Sequence, residues 1–339
     1  MNEAEAKTIE LIFGRWRSQI LYTGVTLAVV DALAAGPTTT ANAAGELNVD
    51  AAALYRLMRA LCAVGILNED DNQTFALTAM GETLRRDHPR TLRPITLLEE
   101  GPEHYAAWKH LPALIREGTQ DGFAREFGQA GFEYARTNPS YGAVFNDAMS
   151  SFSAVDNALV LEALQPYDFA GIAHLCDVGG GHGYALCNLL TRHPRLKGTV
   201  LELPDVLANK ELLWADKLRV ADRCAYVAGD MFVAVPVADA YFVKRVLHDW
   251  SDADCEQILS TMHRAAPRDA RLLIVEQVVP GPECPHFSKL FDVHMMVWGN
   301  GRERTAEEYA DLLKEAGWRY RKTWYPSSKM IGIVEAVKA

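Results

Sequence analysis

The sequence has no surplus of basic residues. Its 339 residues include 34 lysines and arginines against 44 aspartates and glutamates, which gives a formal net charge of -10 at pH 7. Proteins that bind nucleic acids or anionic membranes neutralise phosphates with clustered cations, so this balance disfavours both kinds of partner. No uncharged run reaches the roughly 20 apolar residues that a membrane span needs. Residues 1–7 are acidic and polar, which predicts no signal peptide.

Cysteine is also sparse, and its spacing excludes two kinds of site. No two cysteines form a CxxC pair, so the spacing indicates neither a zinc site nor a dense disulfide framework. We interpret them as reduced thiols, which predicts a cytoplasmic protein. The six residues are Cys62, Cys176, Cys187, Cys224, Cys255 and Cys284.

The first hundred residues have the pattern of a winged helix. Apolar residues at helical spacing run from Ile12 to Ala35, where Gly36-Pro37 ends the pattern. Asp50 is placed to cap a helix over residues 51–64, and residues 65–77 then predict two short strands around a polar turn. The face predicted to be buried on the 51–64 helix carries Leu54, Leu57, Leu61 and Val64.

The rest of the chain divides into an aromatic helical stretch and an alternating region. Residues 101–165 predict helices, and strands then alternate with helices, which indicates a doubly wound parallel sheet. We therefore predict an α/β Rossmann-like fold with three parts, residues 1–100, 101–165 and 166–339. The candidate strands are His174–Val178, Gly198–Glu202, Cys224–Ala228, Ala240–Val243, Leu272–Glu276 and Met330–Val337.

A glycine cluster follows the first of these strands. Asp177 to Gly183 reads Asp-x-Gly-x-Gly-x-Gly, and neither Gly179 nor Gly181 begins the G-x-G-x-x-G spacing of a dinucleotide loop. Glycines here let the backbone turn tightly and let a ligand approach it. The pattern resembles the first motif of class I methyltransferases, which implies S-adenosylmethionine as a cofactor, held by Asp177, Gly179 and Gly181. The alternative is a tight turn that binds nothing.

Acids also follow the next two strands. Glu202 ends the second strand, where a carboxylate commonly binds ribose hydroxyls, although this does not separate S-adenosylmethionine from NAD. Asp230 follows the third strand and could accept from an adenine amino group, with Met231 and Phe232 on either side of the ring. The alternative for the last three is a turn followed by core residues.

The stretch from Tyr241 to Asp252, which contains His-Asp-Trp-Ser-Asp, resembles a narrower group. It is similar to plant caffeic acid-type and hydroxyindole O-methyltransferases, and to bacterial enzymes that methylate phenazines and aromatic polyketides. The similarity extends over essentially the whole chain. It implies that His248 is the general base, that Glu276 and Glu303 flank it, and that Lys244 lies near the cofactor. The segment between Asp292 and Glu303 is one residue shorter than in the plant enzymes.

The same resemblance implies the partners of the enzyme. The acceptor is expected to be a small phenolic, phenazine or polyketide-like molecule. The cofactor is expected to be converted to S-adenosylhomocysteine. The chain is expected to form a homodimer through its winged-helix-like region. We predict no metal, because the sequence has no acidic cluster of the kind a magnesium-dependent catechol methyltransferase needs. The implied substrate-binding residues are Trp108, Phe145, Asn146, Met149, Asp249 and Met295.

Elementary chemistry agrees with these roles. A phenol has a pKa near ~10 and an imidazole near ~6.5, so a neutral histidine can remove the proton as the oxygen attacks. Three alternatives stay open: a winged-helix DNA-binding regulator, supported by Arg56 and Arg59; an NAD-dependent oxidoreductase; and an S-adenosylmethionine-binding relative with N- or C-methylation, decarboxylation or hydroxylation as its reaction.

Overall fold

The computed structural model describes all 339 residues, which form two compact units. The first unit contains Met1–Lys109 and Gly131–Phe152, and the second contains His110–Ala130 and Ser153–Ala339. The residues of the predicted connector, 101–165, are thus divided between the two units. No helix in the structure is both long enough and apolar enough to cross a membrane.

The first unit is mainly helical and includes a small antiparallel sheet. The strands β1 (Thr38–Thr39), β2 (Leu67–Glu69) and β3 (Thr74–Leu77) lie in the order β1-β3-β2, which confirms the predicted helix and hairpin. Up to residue 109 the helices are α1 (Glu3–Ile12), α2 (Gly14–Thr26), α3 (Val29–Ala32), α4 (Thr40–Leu47), α5 (Ala51–Ala63), α6 (Ala79–Glu82), α7 (Arg93–Glu99) and α8 (Pro102–Ala107).

Two details of this unit differ from the prediction. The helix expected between residues 12 and 35 is broken, because Ala28 takes a left-handed conformation with φ of 58° between α2 and α3. In α5, Asp50 accepts a hydrogen bond from the Ala53 amide as predicted, at 2.8 Å. The buried residues of α5 are Leu54, Met58 and Leu61, whereas the predicted Leu57 and Val64 are half-buried.

After α8, four more helices cover the aromatic stretch. They include one long helix of 25 residues, and Phe123 is fully buried. The helices are α9 (Leu111–Glu117), α10 (Gly122–Phe127), α11 (Gly131–Thr137) and α12 (Pro139–Ala163).

The second unit is built on a seven-stranded sheet with the order β6-β5-β4-β7-β8-β10-β9. The five strands β4 to β8 are parallel, and β10 pairs antiparallel with both β8 and β9. The strands are β4 (His174–Val178), β5 (Lys197–Glu202), β6 (Cys224–Ala228), β7 (Ala240–Lys244), β8 (Arg271–Glu276), β9 (Trp318–Trp324) and β10 (Gly332–Lys338).

Helices cover both faces of this sheet. Alternate residues of one strand point to opposite faces, so Tyr241 and Val243 belong to one hydrophobic core, and Ala240 and Phe242 to the other. The doubly wound prediction is thereby confirmed. The helices are α13 (Tyr184–Arg192), α14 (Pro204–Leu207), α15 (Trp214–Lys217), α16 (Asp252–Ala265), α17 (Ser288–Trp298) and α18 (Ala306–Glu315).

The prediction of an all-parallel sheet is wrong at its far edge. Strand β9 was not predicted, because its sequence Trp-Arg-Tyr-Arg-Lys-Thr-Trp is largely polar and it lies at the exposed edge of the sheet. Chain order reverses between β4 and β7, which are neighbours. Open α/β sheets bind ligands outside the carboxyl ends of the strands at such a reversal. The residues that follow β4 and β7 are therefore expected to lie at the ligand-binding site.

Candidate active site

The glycine cluster forms a tight turn after β4. Gly179 and Gly181 have φ of 68° and 56°. A Cβ on Gly179 would lie 2.9 Å from a methyl of Val246, and a Cβ on Gly180 would lie 2.5 Å from the carboxyl carbon of Asp177. At Gly181 no atom lies within 4 Å of the position a Cβ would take, so the backbone there faces open space that a ligand can enter.

Two carboxylates belong to this turn. The half-buried Glu202 accepts from the Gly181 amide at 2.9 Å and from the Leu203 amide at 2.7 Å, which ties the end of β5 to the turn. Asp177 is buried, and neither of its carboxylate oxygens accepts a hydrogen bond. Burial raises the pKa of Asp177 to about 7, while the charge of Lys244 opposes the rise. An acid in this state favours a cationic partner.

The residues predicted to hold an adenine follow β6. Asp230 is exposed, and it accepts a hydrogen bond from the Phe232 amide at 2.8 Å. Met231 and Phe232 are half-buried against the core, and the Phe232 ring contacts the ring of Trp250 edge-on at 4.8 Å. This turn belongs to the same carboxyl edge of the parallel strands as Glu202.

His248 lies in a single 3₁₀ turn, Leu247–Asp249, which is separated from the end of β7 by Arg245 and Val246. Its Nδ1 is 2.9 Å from Oε1 of Glu303 and 3.9 Å from Oε2 of Glu276. All three side chains are buried. The Nδ1 proton is therefore donated to Glu303, which leaves the lone pair of a neutral imidazole on Nε2. Asp249 has its Oδ1 3.7 Å from this Nε2.

Opposing effects set the pKa of His248. Burial favours the neutral ring, but the negative charges of Glu276, Asp249 and Glu303 outweigh it and raise the pKa to about 9. The pKa of Glu276 is raised to about 7, mainly by burial and against the charge of His248. The three acids thus make His248 a stronger base than a free imidazole.

Glu276, which was predicted, and Arg304, which was not, hold this turn in place. Glu276 uses its Oε1 to accept from the Val246 and Leu247 amides, each at 3.0 Å. Arg304 is 1% exposed and donates to the carbonyls of Leu247 and Trp250, each at 3.0 Å. Arg304 follows Glu303 in the sequence, but only the fold shows that it clamps both ends of the His248 turn.

A second unpredicted arginine lies beside the turn. Arg245 donates from Nε and Nη2 to the two oxygens of buried Asp156, at 2.9 and 3.3 Å. Its guanidinium lies 5.7 Å from the centre of the Phe291 ring, and the His248 ring stacks on Phe291 at 6.0 Å with planes 11° apart. The sequence gives no signal for Asp156 as its partner, because the two residues are 89 positions apart.

Two other predicted residues of the second unit, Lys244 and Met295, lie on β7 and α17. Lys244 ends β7, with its Nζ 3.5 Å from Ser153 Oγ, and burial lowers its pKa. Met295 is buried on α17. The carbonyl of His182, inside the glycine turn, accepts from the hydroxyl of Tyr226 at 3.0 Å, a contact that was not predicted.

The remaining four residues predicted to bind the substrate belong to the first unit. Phe145 is buried, whereas Trp108, Asn146 and Met149 are exposed.

Comparisons with known proteins identify the family. An O-methyltransferase domain matches residues 108–319, and an O-methyltransferase dimerisation domain matches residues 9–87. This chain is an O-methyltransferase. The methyl donor of the family is S-adenosylmethionine, as predicted. The dimerisation domain confirms the predicted homodimer. Because the chain belongs to this family, the alternative predictions of a DNA-binding regulator and of an NAD-dependent oxidoreductase are excluded.

Similar proteins cover nearly the whole O-methyltransferase. A phenazine O-methyltransferase from Lysobacter antibioticus is 33% identical over 331 residues, covering 97% of this chain and 94% of that protein. The S-adenosylhomocysteine-bound crystal structure of CalO1, a methyltransferase of calicheamicin biosynthesis, is 31% identical with a TM-score of 0.87 and covers 100% of both chains. The N,N-8-amino-8-demethyl-D-riboflavin dimethyltransferase of Streptomyces davawensis is 27% identical with a TM-score of 0.83, also over 100% of both chains.

The residues of this O-methyltransferase fit its methyl donor. S-adenosylmethionine carries an ammonium, a sulfonium, two ribose hydroxyls and an adenine. Asp177, buried with no hydrogen-bond partner, suits a cationic group. Glu202 retains acceptor capacity on the open side of the glycine turn, which suits hydroxyl donors.

Proposed function

We propose that the enzyme transfers a methyl group to a hydroxyl of a small aromatic metabolite, with His248 as the general base. The observation that carries this is the contact of 2.9 Å between Nδ1 of the buried His248 and Glu303, since it leaves Nε2 as the proton acceptor. The donor supplies an electrophilic methyl group on a sulfonium. A phenolic acceptor matches this base, because proton transfer to a positioned imidazole contributes about 10²–10⁴-fold.

Within this proposal, each acid has a distinct task. Glu303 orients the His248 ring through Nδ1 and stabilises the imidazolium formed when Nε2 takes the phenolic proton. Glu276 fixes the turn through two backbone amides and adds negative charge 3.9 Å from Nδ1. Asp177, Gly179, Gly181, Glu202 and Lys244 are proposed to hold the donor, with Asp230, Met231 and Phe232 around its adenine.

The remaining assignments are also proposals. We assign acceptor contacts to Asp249 and Met295 of the second unit. The same role is assigned to four residues of the first unit: Trp108, Phe145, Asn146 and Met149. Residues 1–100 are proposed as the dimerising domain, 101–165 as a connector that contributes to the acceptor pocket, and 166–339 as the catalytic domain. The six free cysteines support a cytoplasmic location.

The reaction is tested with methyl-labelled S-adenosylmethionine and matched acceptor panels. Phenols, including hydroxyphenazines and hydroxynaphthoates, are compared with anilines of the same ring systems. We expect label in an aryl methyl ether that resists mild base. Label appearing only on the anilines would instead support the nitrogen chemistry of the riboflavin-type relative, and label on neither panel would contradict methylation of a small aromatic.

The pH profile tests the state of His248. Only the neutral imidazole can accept a proton, so kcat/KM should rise with pH and level off near the His248 pKa of about 9. In Glu276→Gln the charge that raises this pKa most is absent, while the amide oxygen can still accept from the turn amides. The inflection should therefore move to lower pH. The pKa of the phenol is the same for both enzymes, so identical profiles would contradict the assignment.

The role of Glu202 is tested by binding. In Glu202→Gln the charged acceptor for ribose hydroxyls is lost, but the amide oxygen can still accept from Gly181. We expect the Kd for S-adenosylhomocysteine to rise about tenfold, equivalent to ~1.4 kcal/mol for a hydrogen bond to a charged group. Calorimetric titration measures this, with the exposed acid Asp205→Asn as the matched control. Equal affinities for the two variants would remove Glu202 from the donor site.

A further inference from the structure

The side chains around Nδ1 of His248 have the composition of a metal site. One ligand atom from each of His248, Glu276 and Glu303 lies within 4.8 Å of the others. Nδ1 is 2.9 Å from the nearer Glu303 oxygen and 3.9 Å from the nearer Glu276 oxygen. Ligands of a tetrahedral zinc ion, with bonds of about 2.1 Å, are separated by about 3.4 Å. Small movements of these side chains would therefore reach zinc geometry.

Two carboxylate oxygens are available for this coordination. Oε2 of Glu276 and Oε2 of Glu303 are buried and accept no hydrogen bond. The other oxygen of Glu276 is occupied by the Val246 and Leu247 amides. A metal on Oε2 therefore leaves the hydrogen bonds that hold the turn intact, and both side chains are already fixed.

The charge of the cluster also favours a divalent cation. In the form that can bind a metal, with His248 neutral and both glutamates ionised, the cluster carries two negative charges in a buried place, where an uncompensated charge is costly. Arg245, whose charge acts on Glu276, is already paired with both oxygens of Asp156. A transition metal that accepts nitrogen and oxygen ligands, such as Zn²⁺, matches this donor set better than Mg²⁺, which prefers oxygen alone.

We propose that Zn²⁺ binds to Nδ1 of His248 and to Glu276 and Glu303, and that this binding inhibits the enzyme. Nδ1 can bind the ion only in the other neutral tautomer, so one proton leaves Nδ1 and one is taken up at Nε2. A protonated Nε2 cannot accept a proton from the acceptor hydroxyl, so the base is lost while the donor site is unchanged. The inhibition rests on the proposed role of His248, whereas the binding does not.

Binding is measured first, without reference to activity. Untagged enzyme is stripped with a chelator and titrated with Zn²⁺ against a competing indicator, and Co²⁺ serves as a spectroscopic substitute. We expect one ion per chain, and a loss of affinity of at least about tenfold in both Glu276→Gln and Glu303→Gln. Cys284→Ser removes an exposed thiol elsewhere and should bind as the unaltered enzyme does. Retained S-adenosylhomocysteine binding shows that each variant is folded.

The outcomes separate the two claims. No binding at millimolar Zn²⁺, or equal binding by both glutamine variants and the unaltered enzyme, overturns the site. One ion per chain with loss of methyl transfer, restored by chelation, supports it. One ion per chain with full activity leaves the site in place but contradicts the inhibition, and with it the role of His248 as the base.

Discussion

In His248→Ala, kcat is expected to fall by about 10²–10⁴-fold, the contribution of a positioned general base. The ring is buried with its Nδ1 2.9 Å from Oε1 of Glu303, and alanine offers no group that could accept the phenolic proton. Binding of S-adenosylhomocysteine should change little, because the residues proposed to hold it, at or just after the carboxyl ends of β4 to β7, make no hydrogen bond to the imidazole. Single-turnover assays with saturating donor and calorimetric titration measure the two quantities.

A histidine outside the site provides the control for this variant. His88 lies in the first unit, in the loop that follows α6, and His88→Ala should retain normal turnover. If His248→Ala turned over at a rate close to that of His88→Ala, the proton would have to leave by another route, and the base assignment would be wrong. Loss of cofactor binding in the same variant would instead indicate that the turn had collapsed.

In Gly301→Ala, kcat is expected to fall by about 100-fold although no catalytic group is altered. A Cβ on Gly301 would lie 1.6 Å from the carbonyl oxygen of His248 and 2.7 Å from the carbonyl carbon of Asp249. These are backbone atoms, which cannot rotate away, so the His248 turn or the loop carrying Glu303 must shift. A displacement of about 1 Å at a reacting group can cost about 10²-fold in rate.

Gly299→Ala is the matched control for this experiment. Gly299 lies two residues earlier in the same loop, has extended backbone with φ of -152°, and no atom lies within 4 Å of its Cβ position. We expect the control to keep normal turnover and both variants to bind S-adenosylhomocysteine. Equal kcat for the two variants would show that close contact between the loop and the turn is not needed to place His248.

The sequence could predict the carboxyl edge of the sheet because its signals are local. Strands β4, β5, β7 and β8 are largely buried apolar runs, and Glu202, Asp230, His248 and Glu276 lie at or soon after the carboxyl ends of β5, β6, β7 and β8. Since parallel strands end on one side, the positions of these residues in sequence were enough to place them on one edge. The assignment of His248 also depended on resemblance, because a lone histidine after a strand has no distinctive pattern.

The rest of the site depends on contacts between residues distant in sequence. Asp156 meets Arg245 across 89 positions, and Arg304 reaches the Leu247 carbonyl across 57. No periodicity or short motif encodes such pairs, and a buried arginine cannot be told from an exposed one by its neighbours in sequence. The edge strand β9 was missed for the opposite reason, since its polar residues match an exposed surface as well as a strand.

The most direct test is a crystal structure of the enzyme with S-adenosylhomocysteine and a methylatable phenol bound together. We expect the phenolic oxygen about 2.6–3.2 Å from Nε2 of His248, and in line with the sulfur on the side from which the methyl group would be delivered. A His248 ring turned away from the sulfur, with a gap to Nε2 that no acceptor oxygen could span, would contradict the mechanism and leave only the fold and the cofactor site standing.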